Sequence, residues 1–121
     1  MSIAGASSDQ RTSVLRALVH YNLPINGTLA ELAQFAWDAD TPLLQLSRLD
    51  IQNILSRFIA HELSASQVHD WADLIECRDD LDLSGESGTL AEIIFRLANP
   101  SLYEPLLIEL AHEIVNDLSH R

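Results

Sequence analysis

Two capped amphipathic helices in succession leave a chain little freedom in what it can fold into, and residues 47–78 carry such a pair: SRLDIQNILSRFIAHELSASQVHDWADLIECR. Ile51, Ile54, Leu55, Phe58 and Ile59 recur at the spacing that gathers side chains on one face of a 3.6-residue helix. After a short connection, Ala65, Val68, Trp71, Ala72 and Ile75 repeat the pattern. Ser64 and Gln67 form a capping box in which the hydroxyl takes an orphan first-turn amide and the carboxamide reaches back to the cap. Ser47 and Asp50 repeat that device at the head of the preceding helix. Each helix is apolar on one side only, so the pair needs further helices to cover it.

The flanking sequence supplies them. A helix is expected from about Ser8 to Tyr21, with Val14, Leu15, Leu18 and Val19 inward, ended by Asn22-Leu23-Pro24 because proline disfavours the helical conformation in the residue before it. Ile25-Asn26-Gly27 reads as a turn, and Thr28 with Glu31 as the capping box of a short helix burying Leu29, Leu32 and Phe35. Residues 36–46, AWDADTPLLQL, fit no helical period. Asp38, Asp40 and Pro42 are turn residues, Trp37 is an apolar anchor, and Leu43, Leu44 and Leu46 suit an extended segment too short to imply a sheet. A polar loop follows from Asp79 to Gly88. Thr89 or Ser87 then caps a helix with the stripe Leu90, Ile93, Ile94 and Leu97, stopped by Asn99-Pro100. Pro105 suits the first turn of a last helix burying Leu106, Leu107, Leu110, Ala111, Ile114 and Leu118. The expected architecture is all-α: a single-domain bundle of five or six amphipathic helices over residues 8–121, with a central helix-turn-helix pair and a flexible leader at residues 1–7.

With 121 residues, such a domain buries roughly 65% of its unfolded surface without metals or disulfides. The formal net charge is -11, and all seven basic residues are arginines. Without lysine there is no Schiff-base chemistry and no phosphate-loop lysine. A strongly negative field repels nucleic acid and anionic lipid and suits a basic partner. A lone cysteine, Cys77, makes no internal disulfide, no apolar run approaches a membrane span, and the first residues lack the basic and apolar regions of a signal peptide. These features point to a cytoplasmic location.

Several chemistries are approached in the sequence without being completed. From Asp80, a calcium-loop pattern places Asp80, Asp82 and Ser84 at positions one, three and five and Gly85 at six, but position twelve is Ala91, with the carboxylate of Glu92 one residue late. His61-Glu62 and His112-Glu113 each begin a zinc-protease motif that Ala65 and Asn116 fail to close. His69 and Asp73 share a helical face and require further ligands to hold a metal. Cys77 is surrounded by Glu76, Asp79 and Asp80, which disfavour a thiolate. Between Arg57 and Arg78 no arginine or lysine equips the helix pair to read DNA. No catalytic residue, metal site, cofactor or nucleic-acid partner is assigned on this basis. The expected interaction surface is acidic: Asp70, Asp73, Glu76, Asp79, Asp80, Asp82 and Glu86 lie within seventeen residues, opposed by Arg78. On a helix, Asp70, Asp73 and Glu76 form a strip that leads into the acidic loop.

Three stretches carry a resemblance: FAWDAD at residues 35–40, RFIAHELSASQVHDWADLIECRDD at 57–80 and IIFRLANP at 93–100. With them the chain resembles a family of small, acidic, all-helical bacterial proteins with no assigned activity. In size, charge and helical content it is similar to immunity proteins, the small inhibitors that bacteria keep against their own toxins. Tyr103-Glu104-Pro105 partly matches the Tyr-Tyr-Pro of the helical DNase-immunity proteins. The resemblance implies a non-catalytic protein-binding module that docks a basic toxin domain on an acidic helical surface, and carries over no binding residue. The alternatives are an enzyme or a metal- or ligand-binding domain using His61, His69 and Asp73, or a degenerate calcium loop at 80–92. A dimer through an uncovered apolar face is also compatible with the pattern.

Overall fold

The fold follows from which apolar stripes find each other. A computed structural model describes residues 3–22, 24–35, 42–100 and 105–120, with side chains described from Gln10 onward. Among these residues are six α-helices and a two-stranded parallel sheet: α1 (Ile3–His20), α2 (Asn26–Leu32), β1 (Leu44–Gln45), α3 (Arg48–Ile59), α4 (Ala65–Glu76), β2 (Leu81–Asp82), α5 (Thr89–Ala98) and α6 (Ile108–Ser119). The chain is an all-α bundle.

Both capping boxes of the central pair are formed. Asp50 N donates to Ser47 Oγ at 3.3 Å and Ser47 N to Asp50 Oδ2 at 2.8 Å. Gln67 N donates to Ser64 Oγ at 3.1 Å and Ser64 N to Gln67 Oε1 at 2.8 Å. Ile51, Ile54, Leu55 and Phe58 of α3 are buried, as are Val68, Trp71, Ala72 and Ile75 of α4. The two helices meet each other less than they meet later partners: α4 packs chiefly on α5, and α3 on α6. The start of α3 lies beside the end of α6, where Arg48 Nη1 donates to Leu118 O at 3.3 Å and Gln52 Nε2 to Val115 O at 3.2 Å. The short connection Ala60–Ser64 therefore joins two helices whose main partners come from later in the chain.

Charged and polar side chains close the helix ends across these layers. Arg57 of α3 donates to the carbonyls of His20 (2.9 Å) and Tyr21 (3.2 Å) at the end of α1. His69 of α4 lies 3.0 Å from Ala98 O at the end of α5. Each bond satisfies a carbonyl that its own helix leaves open, and the arginine adds the favourable sign for a helix C-terminus.

The sequence placed several boundaries differently. Helical backbone extends back to Ile3, into the stretch assigned to a leader. Helix α2 begins before Thr28 because Ile25, after Pro24, is already helical (φ -79°, ψ -15°) and its carbonyl accepts from Leu29 N; the Thr28–Glu31 box is bypassed. Neither Thr89 nor Ser87 caps α5: Gly88 occupies that position at φ 87°, a conformation with no penalty for glycine. Helix α6 begins after Leu107, so Pro105 precedes it, and Leu107, expected inside, is exposed. Trp37, Asp38, Asp40 and Tyr103 fall outside the described residues.

Candidate functional site

The expected acidic surface begins on α4, and the inner face of that helix fixes where its outer face points. Trp71 is completely buried and its Nε1 donates to Val19 O at 3.1 Å. With Trp71, Ala72 and Ile75 inward, helical periodicity turns Asp70 and Asp73 to solvent, where both are exposed. Glu76, a turn further on, is half-buried, and its Oε2 is enclosed without a hydrogen-bond partner among the described residues. Cys77 ends the helix as an exposed thiol.

The start of this strip also senses the end of α1. Tyr21 is buried at a left-handed position (φ 49°) just beyond α1. Its phenol pKa is pushed up by burial and then by the nearby Asp70 carboxylate, with the Arg57 guanidinium opposing. The neutral phenol is thereby favoured.

Beyond α4 the acidic residues separate. Asp79 is exposed, while Asp82 and Glu86 are half-buried. Asp80 is withdrawn completely, at 0% exposure. This corrects its expected place on the surface. Arg78 approaches it with two nitrogens, Nε 2.9 Å from Oδ1 and Nη2 3.0 Å from Oδ2, and Arg11 of α1 sets Nε 2.9 Å from Oδ2. The arginine side chains are themselves 17% (Arg11) and 12% (Arg78) exposed. A lone carboxylate resists such burial; two guanidiniums with matching donor geometry make it tolerable. Arg11 also lies over the Phe35 ring, 5.8 Å from its centroid, so the node reaches the end of α2.

The backbone explains why the side chain turns in. Leu43 N and Leu44 N donate to Asp80 O at 2.8 and 3.3 Å, and Leu46 N donates to Asp82 O at 2.9 Å. Leu44 pairs with Leu81 and Gln45 with Asp82 in parallel register. Residues 81–82 are thus a short strand laid against residues 44–45, with the turn residue Asp80 at its entry. Gly85 permits the close return of the chain: a Cβ there would lie 3.1 Å from Leu90 Cδ1 and 3.6 Å from Leu46 O.

The same geometry bears on the calcium pattern. Both oxygens of Asp80 face arginines, and Asp82 Oδ1 accepts from Ser84 N at 2.9 Å and from Ser84 Oγ at 2.6 Å. The two carboxylates are turned to separate partners instead of a shared centre. Among the described residues no group of three or more His, Cys, Asp or Glu is placed to hold a metal ion. The histidine alternative is likewise not assembled. The Nε2 of His69 is spent on a carbonyl, which can only accept, and its Nδ1 lies 3.5 Å from Asp70 Oδ1. A cavity of about 260 Å³ beside His69 is lined by Ala65, Ser66, Leu97, Pro100, Pro105 and Leu106, with neither His61 nor Asp73 contributing. Exposed His61 stands at φ 65°, past the end of α3.

Sequence reasoning missed Arg11, whose partner lies 69 positions away; no local spacing announces it. No helix of the described residues is long and apolar enough to cross a membrane. Compared with known proteins, the chain matches no family model, no curated protein and no solved structure.

Proposed function

We propose that the protein is a non-catalytic binding module that docks a basic protein on the outer face of α4 and the segment that follows it, with immunity-type neutralisation of a toxin domain as the specific form. One observation carries the reading. Arg78, the single arginine between Arg57 and Arg96, is turned inward onto Asp80, so this stretch loses its positive charge from the outer surface and keeps Asp70, Asp73 and Asp79 there. Exposed carboxylates on a helix favour encounter with a cationic surface, and half-buried Glu76, Asp82 and Glu86 extend the patch. Affinity would come from apolar or aromatic anchors that such a patch surrounds.

The test is a charge reversal that respects the burial pattern: Asp70→Lys, Asp73→Lys and Asp79→Lys together, with Asp80 untouched. Helical circular dichroism and the unfolding midpoint are expected to stay near those of the parent. Capture of a basic partner from the native organism is expected to fall at least about tenfold, and the parent's capture to weaken as ionic strength rises. Recovery of no basic partner, together with the absence of a toxin gene beside its own, defeats the proposal. Equal capture by the reversed protein removes the acidic face from it.

A further inference from the structure

Residues 79–88 combine a latch with stored strain. The latch is the Asp80 carboxylate between Arg11 and Arg78, reinforced by hydrogen bonds from the Leu43 and Leu44 amides to Asp80 O and from the Leu46 amide to Asp82 O. The strain lies a few residues on. Glu86 (φ 56°), Ser87 (φ 58°) and Gly88 (φ 87°) are three successive left-handed residues, and only the last is glycine. An L-residue in that conformation crowds its Cβ against the following carbonyl, so runs of it persist only where surrounding contacts enforce them. Helix α5 starts immediately afterwards with no side-chain cap.

We propose that this segment is a two-state strap, held closed by the buried Asp80 carboxylate against the strain at Glu86 and Ser87. Closed, it fixes Asp79, Asp82 and Glu86 relative to α4. Open, it releases the β1–β2 pairing and lets those carboxylates move apart. The helices on either side do not need the strap: α4 and α5 hold each other through their buried faces, and α1 stays anchored by Arg57 at its end and by Trp71 on Val19. Opening is therefore local. Asp80 is a positioning residue that acts through the ladder, and the inference stands on the fold whether or not the acidic face docks a partner.

Amide hydrogen exchange on the full chain tests it. In the parent, the amides of Leu43, Leu44 and Leu46 are expected to exchange through a local opening, faster and with a weaker urea dependence than those of Ile54, Leu55, Val68 and Ile94. In Asp80→Asn, the same three are expected to exchange at least about tenfold faster than in the parent. Arg11→Gln, which leaves Arg78 on the carboxylate, is expected to act on the same amides more weakly, and it decides the matter if Asp80→Asn does not fold. Ser87→Gly relieves the strain and is expected to slow those three amides by about two- to fivefold. A urea dependence at Leu43, Leu44 and Leu46 equal to that of the core amides in the parent, or unchanged exchange there in Asp80→Asn, overturns the latch. Unchanged exchange in Ser87→Gly overturns the stored strain.

Discussion

Helix α4 and the segment just after it carry the same residue type to opposite ends. On α4, Asp70 and Asp73 are exposed because Trp71, Ala72 and Ile75 face inward and a 3.6-residue period leaves the aspartates nowhere else to go. Four residues after the helix, Asp80 is fully enclosed. Its position is set by a backbone ladder and two arginines, one of them 69 residues away. The contrast teaches that a carboxylate on an amphipathic helix can be assigned to the surface from sequence alone. One in an irregular segment belongs wherever pairing takes its backbone, and an acidic run there is not by itself an acidic surface.

The largest expected effect sets the two regions directly against each other. Asp80→Ala leaves Arg11 and Arg78 facing each other without their shared carboxylate, and about 3 kcal/mol of unfolding free energy is expected to go. Asp73→Ala removes an exposed charge from α4 and is expected to change stability by no more than about 0.5 kcal/mol. Urea unfolding of both variants checks the pair. Comparable losses from the two would erase the distinction between helix and segment.

A middle-sized effect probes the boundary of the helical rule. His69 sits next to Asp70 on α4, yet its ring is half-buried and reaches back to Ala98 O at 3.0 Å. Removing it leaves the last turn of α5 with one carbonyl fewer satisfied. His69→Ala is expected to cost about 1 kcal/mol, and His69→Gln to recover part of it by offering another N–H donor. A loss that the carboxamide leaves wholly unrelieved would mean that the bond to Ala98 O is not what the ring contributes.

What could be read from the chain follows the same division. The buried stripes of α3, α4 (apart from exposed Ala65) and α5 and both capping boxes were legible because a regular helix turns a few residues of local pattern into a three-dimensional face. Helix ends were less legible: Thr28–Glu31 has the letters of a box, but Pro24 and Ile25 begin the helix before it. The strand pairing of Leu44 with Leu81 was illegible, since two residues on each side carry no period to detect. The candidate surface was legible on α4 at Asp70 and Asp73, and misread at Asp80 because its partner Arg11 comes from the other end of the fold.

Asp82 lies between the two extremes, and its smaller effect tests whether the contrast is graded. It is half-buried on β2, and its Oδ1 accepts from both the hydroxyl and the amide of Ser84. The Ser84 hydroxyl, and after it the Ser84 amide, hold its carboxyl pKa below the ordinary value, with slight desolvation acting the other way. A depressed folded-state value means the folded protein favours the ionised form. The associated stability is therefore present above the ordinary carboxylate range, near pH ~4, and is lost as pH falls through the lowered value. Because the hydroxyl is the leading cause, Ser84→Ala is expected to bring the Asp82 titration part of the way back up, the amide bond holding the remainder. Carboxyl-carbon NMR against pH reads this directly. An unchanged Asp82 titration in Ser84→Ala would mean that the hydroxyl bond contributes nothing in water. The Asx-type turn would then be a consequence of the β1–β2 pairing rather than one of its supports, and Asp82 would join Asp70 and Asp73 as a carboxylate free to meet a partner.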